Sequence, residues 1–500
     1  MKDYHAMYME GRKAMQQYEL LTKSYINGEW VSGDSGRVYK DLNPYDNSVI
    51  AEVNIASKGQ MEQAFETAAA AQKEWANSNV EERKAVVEKA IAYLKENREE
   101  IVQLISRETG GTILKANVEL HLTLEVMEEA LHYADEVCHV REVSTGVEGK
   151  VNRIYRLPLG VILSISPFNF PMNLSMRTIV PAIVLGNAVV HKPDIQVGLV
   201  GGVVLAKAFE HAGLPAGVFN MLLTDVEEMG DDMLTHPIPR LISFTGSTAV
   251  GRHIGEIAGR NLKRVALELG GNSPFVVLSD ANVEQAVNAA IFGKYIHQGQ
   301  ICMIINRIIV HKDQYESFVS KFVERTKELT TGNPLDPNTI IGPLINERQI
   351  EKALGYIEEA KKEGVTVALE GRREGNVLTP SIFIDVKNDG ELAQKELFGP
   401  IALIIKAEND EEAIKMANDT QAGLSSAIFT SDLEKGEQYA LQLDTGMTHI
   451  NDQTVNDAPN IPFGGNKSSG LGRFGNPWVV DEFTTMKWVS VQTKERKYAF

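Results

Sequence analysis

What most constrains this chain is an alternation of short apolar runs with helix-length segments, repeated from Gly160 to Phe429. Gly160-Val161-Ile162-Leu163-Ser164-Ile165-Ser166 reads as a buried strand. Pro167 and Pro171 punctuate it, a helix follows through Val184, and Ala188-Val189-Val190-His191-Lys192-Pro193 reads as a second strand stopped by proline. A glycine-rich helix over 197–212 and strands over 218–222 and 240–244 continue the series. It resumes after Glu268 with Phe275-Val276-Val277-Leu278, an amphipathic helix over 284–297 and a strand at 307–310. A helix over 315–329 and strands at 402–405 and 425–429 complete it. Strands alternating with helices predict α/β architecture with two parallel, Rossmann-like sheets meeting near 268–271. Upstream, the spacing of Phe65, Ala68, Trp75, Val86, Ile91, Leu94 and Ile101 fits two amphipathic scaffold helices within 61–107.

Size and charge narrow the function. A chain of 500 residues, 43% hydrophobic and 23% charged, exceeds one hydrophobic core, so two or more domains are expected. Its net charge of −17 disfavours nucleic acid and anionic membrane surfaces as partners. The two cysteines, Cys138 and Cys302, make no disulfide framework and no zinc spacing, which predicts a reducing, cytoplasmic location. Residues 1–18 hold no continuous apolar stretch and so do not read as a signal peptide. The runs over 178–190 and 197–209 are too short for a membrane span and are broken by Pro181 or by Gly198, Gly201 and Gly202. None of the eleven histidines falls in a metal-binding spacing, and no metal is expected.

Chemistry concentrates at a few residues. Cys302, in Gly299-Gln300-Ile301-Cys302-Met303, follows an amphipathic helix among small and polar neighbours and reads as a nucleophile, whereas Cys138 reads as an inert thiol. Glu268 ends an apolar run and precedes Gly270-Gly271, so it is placed to activate water. A thiol for a covalent intermediate and a carboxylate for water are the parts of a thioester-forming oxidation. Phe244-Thr245-Gly246-Ser247-Thr248 ends a strand and opens a helix, which fits a pyrophosphate site or a plain helix cap. Lys192 fits a ribose or phosphate ligand or a surface lysine. Asn169, between Pro167-Phe168 and Phe170-Pro171, fits an oxyanion donor or a turn residue. His297 is the one histidine near Cys302, and the carboxylate can serve as base in its place.

Ser166-Pro167-Phe168-Asn169-Phe170-Pro171, His191-Lys192-Pro193, Phe244-Thr245-Gly246-Ser247-Thr248, Leu267-Glu268-Leu269-Gly270-Gly271-Asn272, Gly299-Gln300-Ile301-Cys302, Glu396-Leu397-Phe398-Gly399-Pro400 and Pro462-Phe463-Gly464-Gly465 together resemble, in order, the aldehyde dehydrogenase superfamily. The likeness runs from about Tyr25 to the C-terminus. Phe168, where many members have tryptophan, and Gly-Gln-Ile-Cys-Met resemble the branch of benzaldehyde, vanillin and salicylaldehyde dehydrogenases.

The resemblance implies a cofactor domain (1–137 and 157–267, with 459–480 packing back), a catalytic domain (268–458) and an oligomerisation element (138–156 and 481–500). In the last, Trp488-Val489-Ser490-Val491 would join a neighbouring subunit of a homodimer or homotetramer or form an edge strand within one chain. It implies that Cys302 attacks the aldehyde, Asn169 and the Cys302 N–H meet the oxyanion, and Glu268 activates water. NAD or NADP would be held by Ser166, Lys192, Gly246, Ser247, Leu269, Glu396 and Phe398. A relative passing its acyl group to CoA typically lacks the glutamate, a relative recruited as a structural protein is free to lose catalytic residues, and a papain-like hydrolase needs a Cys and His arrangement missing here. NAD-selective members often carry glutamate where this chain has Ile195, with Asp194 beside it, so both cofactors are expected to work. Near the tunnel, Phe170, Ile301, Met303 and Asn456-Asp457-Ala458 are mostly apolar, and no arginine adjoins Cys302 for a semialdehyde carboxylate. An aromatic aldehyde is therefore expected, with aliphatic aldehydes or semialdehydes as the alternative.

Overall fold

In the computed structural model, which describes residues 18–19 and 21–498, the alternating runs build two mainly parallel sheets and a smaller antiparallel one. Residues 1–17, read above as lacking a leader, lie outside the described residues. The first sheet runs, edge to edge, Glu29–Val31, Ser24–Ile26, Phe219–Met221, Ala188–Lys192, Val161–Ile165, Pro239–Thr245, Arg264–Glu268 and Gly470–Leu471. Its five central strands are parallel and the outer ones antiparallel. The second sheet runs Thr366–Leu369, Ser381–Ile384, Ile401–Ala407, Ile305–His311, Ser273–Val277, Ser425–Phe429 and Met447–Ile450, antiparallel only at its first pair. The α/β reading is therefore observed strand by strand. Strands such as Ala188–Lys192 and Ser425–Phe429 are buried throughout, as expected of strands covered on both faces.

Helix readings change upstream of the second sheet at two places. The apolar spacing within 61–107 belongs to three helices, Lys58–Trp75, Val80–Glu96 and Arg98–Thr109. The extra break falls at Asn97, whose side chain donates to the Tyr93 carbonyl and so competes with the helix ladder. The glycine-rich helix is composite: a 3-10 turn Ile195–Val197, a π turn Leu199–Val203, then the α-helix Val204–His211. Buried Glu108 accepts from the Leu199 and Val200 N–H groups at 2.8 and 2.7 Å, satisfying the donors where the turns change.

The third sheet pairs Val140–Val143 and Thr484–Gln492 on either side of Lys150–Pro158. The C-terminal strand pairs on one side only and forms an edge, with Met486 and Trp488 exposed. Among the described residues no helix is long and apolar enough to cross a membrane.

Candidate active site

The parallel register aligns the carboxyl ends of four neighbouring strands: Ile165 sits beside Lys192 and Phe244, and Thr245 beside Glu268. Open α/β sheets bind ligands at this edge. Gly246 N–H donates to the Glu268 carbonyl at 3.0 Å, and Ser247 Oγ caps the helix Thr248–Arg260 by accepting from Val250 N–H at 3.4 Å. A Cβ on Gly246 would stand 2.3 Å from the Phe244 ring, so only glycine fits.

Cys302 arrives by a route that helical periodicity did not foresee. The helix ends at Tyr295, not His297, and His297 and Gln298 take left-handed backbone with φ of 50° and 56°. Gly299, also left-handed, approaches Gly399 so closely that a Cβ would lie 2.2 Å from its carbonyl oxygen. Cys302 therefore sits in a packed turn, with Asn169 Nδ2 donating to the Gln300 carbonyl at 3.0 Å. One bond uses one of the two amide hydrogens.

Two cavities meet at Cys302. The first, about 140 Å³, is lined by Phe168, Gly246, Ser247, Leu269, Glu396 and Phe398 among others. The second, about 260 Å³, has apolar walls including Phe170, Leu174, Ile296, Ile301, Met303 and Val455. Both share Asn169, Thr245, Glu268 and Cys302. Phe168 and Phe398 stand edge to face at 6.0 Å, and Glu396 accepts from Gly271 N–H at 3.1 Å. Ser166 and Lys192 line neither cavity. Ser166 Oγ accepts from buried Ser175 Oγ, and Lys192 Nζ reaches the Pro193 carbonyl only at 3.5 Å. His297 also lines neither; it is buried, both ring nitrogens lack partners, and burial pushes its pKa well down.

Burial dominates the electrostatics. It raises Glu268 to about 8, against the pull of Arg177 and Arg473, and neither carboxylate oxygen has a hydrogen-bond partner. Burial, then the charges of Glu268 and Glu396, push the Cys302 thiol up to about 12. Glu396 is raised to about 7 by burial, opposed by the Gly271 N–H.

No arginine adjoins Cys302 in the sequence, and Arg177 reaches the second cavity from elsewhere. It comes from the helix Pro171–Val184 and pairs with Asp457, 280 residues away, the two side chains being 7% and 9% exposed. Both line the second cavity with Cys302. The available signal was a lone charge inside an apolar helix, Met176-Arg177-Thr178-Ile179-Val180. Thr245 and Asn173 were likewise missed as lining residues. Of the expected 456–458 segment, Asn456 and Asp457 line this cavity while Ala458 faces a small neighbouring one.

The family model described as "Aldehyde dehydrogenase family" matches residues 30–489. AldY of Bacillus subtilis (strain 168) is 66% identical over 483 residues, covering 97% of this chain and all of that protein. A vanillin dehydrogenase of Corynebacterium glutamicum is 47% identical, covering 94% of this chain and 98% of its own length. The crystal structure of an NAD-dependent benzaldehyde dehydrogenase from Corynebacterium glutamicum superposes with a TM-score of 0.88 at 44% identity, covering 96% of this chain and 98% of that one.

Proposed function

The chain belongs to the aldehyde dehydrogenase family, and from that membership we propose that it oxidises an aromatic aldehyde to the carboxylic acid with NAD or NADP. The observation that carries this reading is the sharing of Cys302, Glu268 and Asn169 between two cavities, one apolar and one lined by glycines, aromatics and a carboxylate. The aromatic substrate is favoured by the ring-sized apolar walls of the second cavity and by the named activities of the similar proteins.

The first cavity suits a dinucleotide. Gly246 and Gly270 line it and let the backbone pack against the Phe244 ring and the Glu396 carboxylate, where a Cβ would stand 2.3 and 2.7 Å from them, and the helix beginning at Thr248 opens beside them. Glu396 would take ribose hydroxyls, Phe398 and Phe168 would flank the nicotinamide, Leu269 would contact it, and Gly246 and Ser247 would hold the adenosine side, with Lys192 and Ser166, which line neither cavity, assigned to the cofactor by the resemblance alone. Bound there, the nicotinamide supplies the hydride acceptor.

In the second cavity, Cys302 as thiolate attacks the aldehyde carbon, and the oxyanion is met by the Asn169 amide and the Cys302 N–H. The thioester left after oxidation is hydrolysed by water that Glu268 deprotonates. No metal enters this scheme. The edge strand Thr484–Gln492 is assigned to contact between copies in a homodimer or homotetramer, and two unpaired cysteines fit a cytoplasmic location.

Cofactor reduction with benzaldehyde, with and without CoA, tests the scheme. Cys302→Ala should give none, while Glu268→Gln should give one equivalent in a burst and then turn over about 10²–10⁴ times more slowly. Full steady turnover in Cys302→Ala, or acceleration by CoA, defeats it.

A further inference from the structure

Three buried titratable groups that line neither cavity stand behind Asn169: Lys115 and Glu119 on the helix Ile113–Tyr133, and His297 in the thiol-bearing turn. Lys115 and Glu119 lie four apart on one helix face, both side chains are 0% exposed, and Lys115 Nζ stands 2.5 Å from Glu119 Oε2. Glu119 Oε1 accepts from Met172 N–H at 2.8 Å, and Lys115 Nζ lies 4.5 Å from the centre of the Phe170 ring. The same ring meets His297 edge to face, with centres 5.7 Å apart.

A fully buried ion pair is a weak source of stability, because desolvating both charges offsets most of their attraction. What this pair does follows from where it stands. Phe170 and Met172 are the first and third residues after Asn169. The Asn169 side chain donates to the Gln300 carbonyl, and its Oδ1 has no partner, so its aim depends on the backbone that follows. There the helix Pro171–Val184 begins without a side-chain cap of its own. Pro171 has no N–H, so Met172 offers the first donor of the helix, and the Glu119 carboxylate takes it at the positive end of the helix dipole. Lys115 compensates that buried carboxylate, and its charge against the Phe170 ring seats the residue next to Asn169.

We propose that Glu119, with Lys115 as its counter-ion, is a positioning residue for Asn169, fixing the oxyanion donor by anchoring the Met172 N–H and the Phe170 ring. This rests on the reading of Asn169 as oxyanion donor above. Glu119 lines neither cavity and acts only through the segment it holds.

The test reads the first-turnover rate of cofactor reduction and the aldehyde KM, in parallel with benzaldehyde and hexanal, because an oxyanion donor serves any aldehyde. The reference variant joins Lys115→Met to Glu119→Gln, which removes both charges and keeps an amide oxygen for Met172 N–H; it should lose no more than about threefold. Lys115→Met with Glu119→Leu lacks that oxygen and should be slower than the reference by about tenfold or more, with KM changed by less than about threefold. Asn169→Ala in the reference should slow the first turnover about 10²–10³-fold, the loss of one oxyanion donor. In the Asn169→Ala enzyme, exchanging Glu119→Gln for Glu119→Leu should cost less than about twofold more, because the group being positioned is gone. Losses that multiply, or a Glu119→Leu enzyme as fast as the Glu119→Gln one, overturn the positioning role while leaving Asn169 as the donor. Undiminished turnover in Asn169→Ala overturns both. Should leucine fail to fold, Glu119→Ala carries the same comparison.

Discussion

Gly271 and Cys302 come so close that a Cβ on Gly271 would stand 2.1 Å from the Cys302 carbonyl oxygen. The glycine after the strand that carries Glu268 is thus what allows the thiol-bearing turn to settle against the first sheet. Gly271→Ala must push that turn away from Glu268. We expect kcat/KM to fall about a hundredfold, the loss typical of a reacting group displaced by about 1 Å, with cofactor binding measured by fluorescence less affected. Undiminished activity would show that the turn can yield.

Glu268 is raised to about 8 by burial, and it must be ionised to take a proton from water. The hydrolytic step should therefore accelerate as pH rises through about 8, visible as a rising limb of kcat. Stability moves the other way. A carboxyl with a raised folded-state pKa contributes fully below its unfolded value and loses that contribution as pH rises through about 8. Glu268→Gln should flatten that decline in a series of thermal melts.

Cys302 is held high by burial first and by the Glu268 charge second. Removing the charge in Glu268→Gln should lower the thiol's pKa, so iodoacetamide should alkylate Cys302 faster at about pH 9 than in the parent. Slower alkylation would mean that Glu268 acts instead as the thiol's base.

Asp194 is occupied locally. Its Oδ1 accepts from Gln196 N–H at 3.0 Å and Gln196 Nε2 at 3.2 Å, capping the turn Ile195–Val197, and Ile195 brings no second carboxylate. Both NAD and NADP should support turnover, with kcat/KM values within about a hundredfold of each other. No detectable rate with NADP at saturating aldehyde would assign the repulsion of a 2′-phosphate to Asp194.

The C-terminal edge strand carries Met486 at 63% and Trp488 at 64% exposure. A strand with one open edge and exposed apolar side chains is a pairing surface. Met486→Lys should lower the particle mass measured by light scattering, whereas an unchanged mass would move the contact elsewhere.

Much of this molecule was legible without coordinates. Apolar periodicity is local, so the runs at 161–165, 188–192 and 425–429 announced their strands, and glycines at 246 and 270–271 marked where backbone approaches something closely. Cys302 and Glu268 could be picked out because a thiol and a carboxylate at element ends have few structural uses. Local pattern was a poorer guide at Asn97, where one side chain broke a helix that spacing alone continued, and at His297 and Gln298, where left-handed backbone ended another early.

What the sequence by itself determined was the alternation that makes two parallel sheets and the family to which the chain belongs. Only the tertiary structure decided that Asn169, Glu268 and Cys302 share one space and that Arg177 reaches Asp457 across 280 residues. The reason is physical: hydrophobic period is written into a few neighbouring residues, whereas proximity, burial and the pKa shifts they cause depend on which distant surfaces pack together.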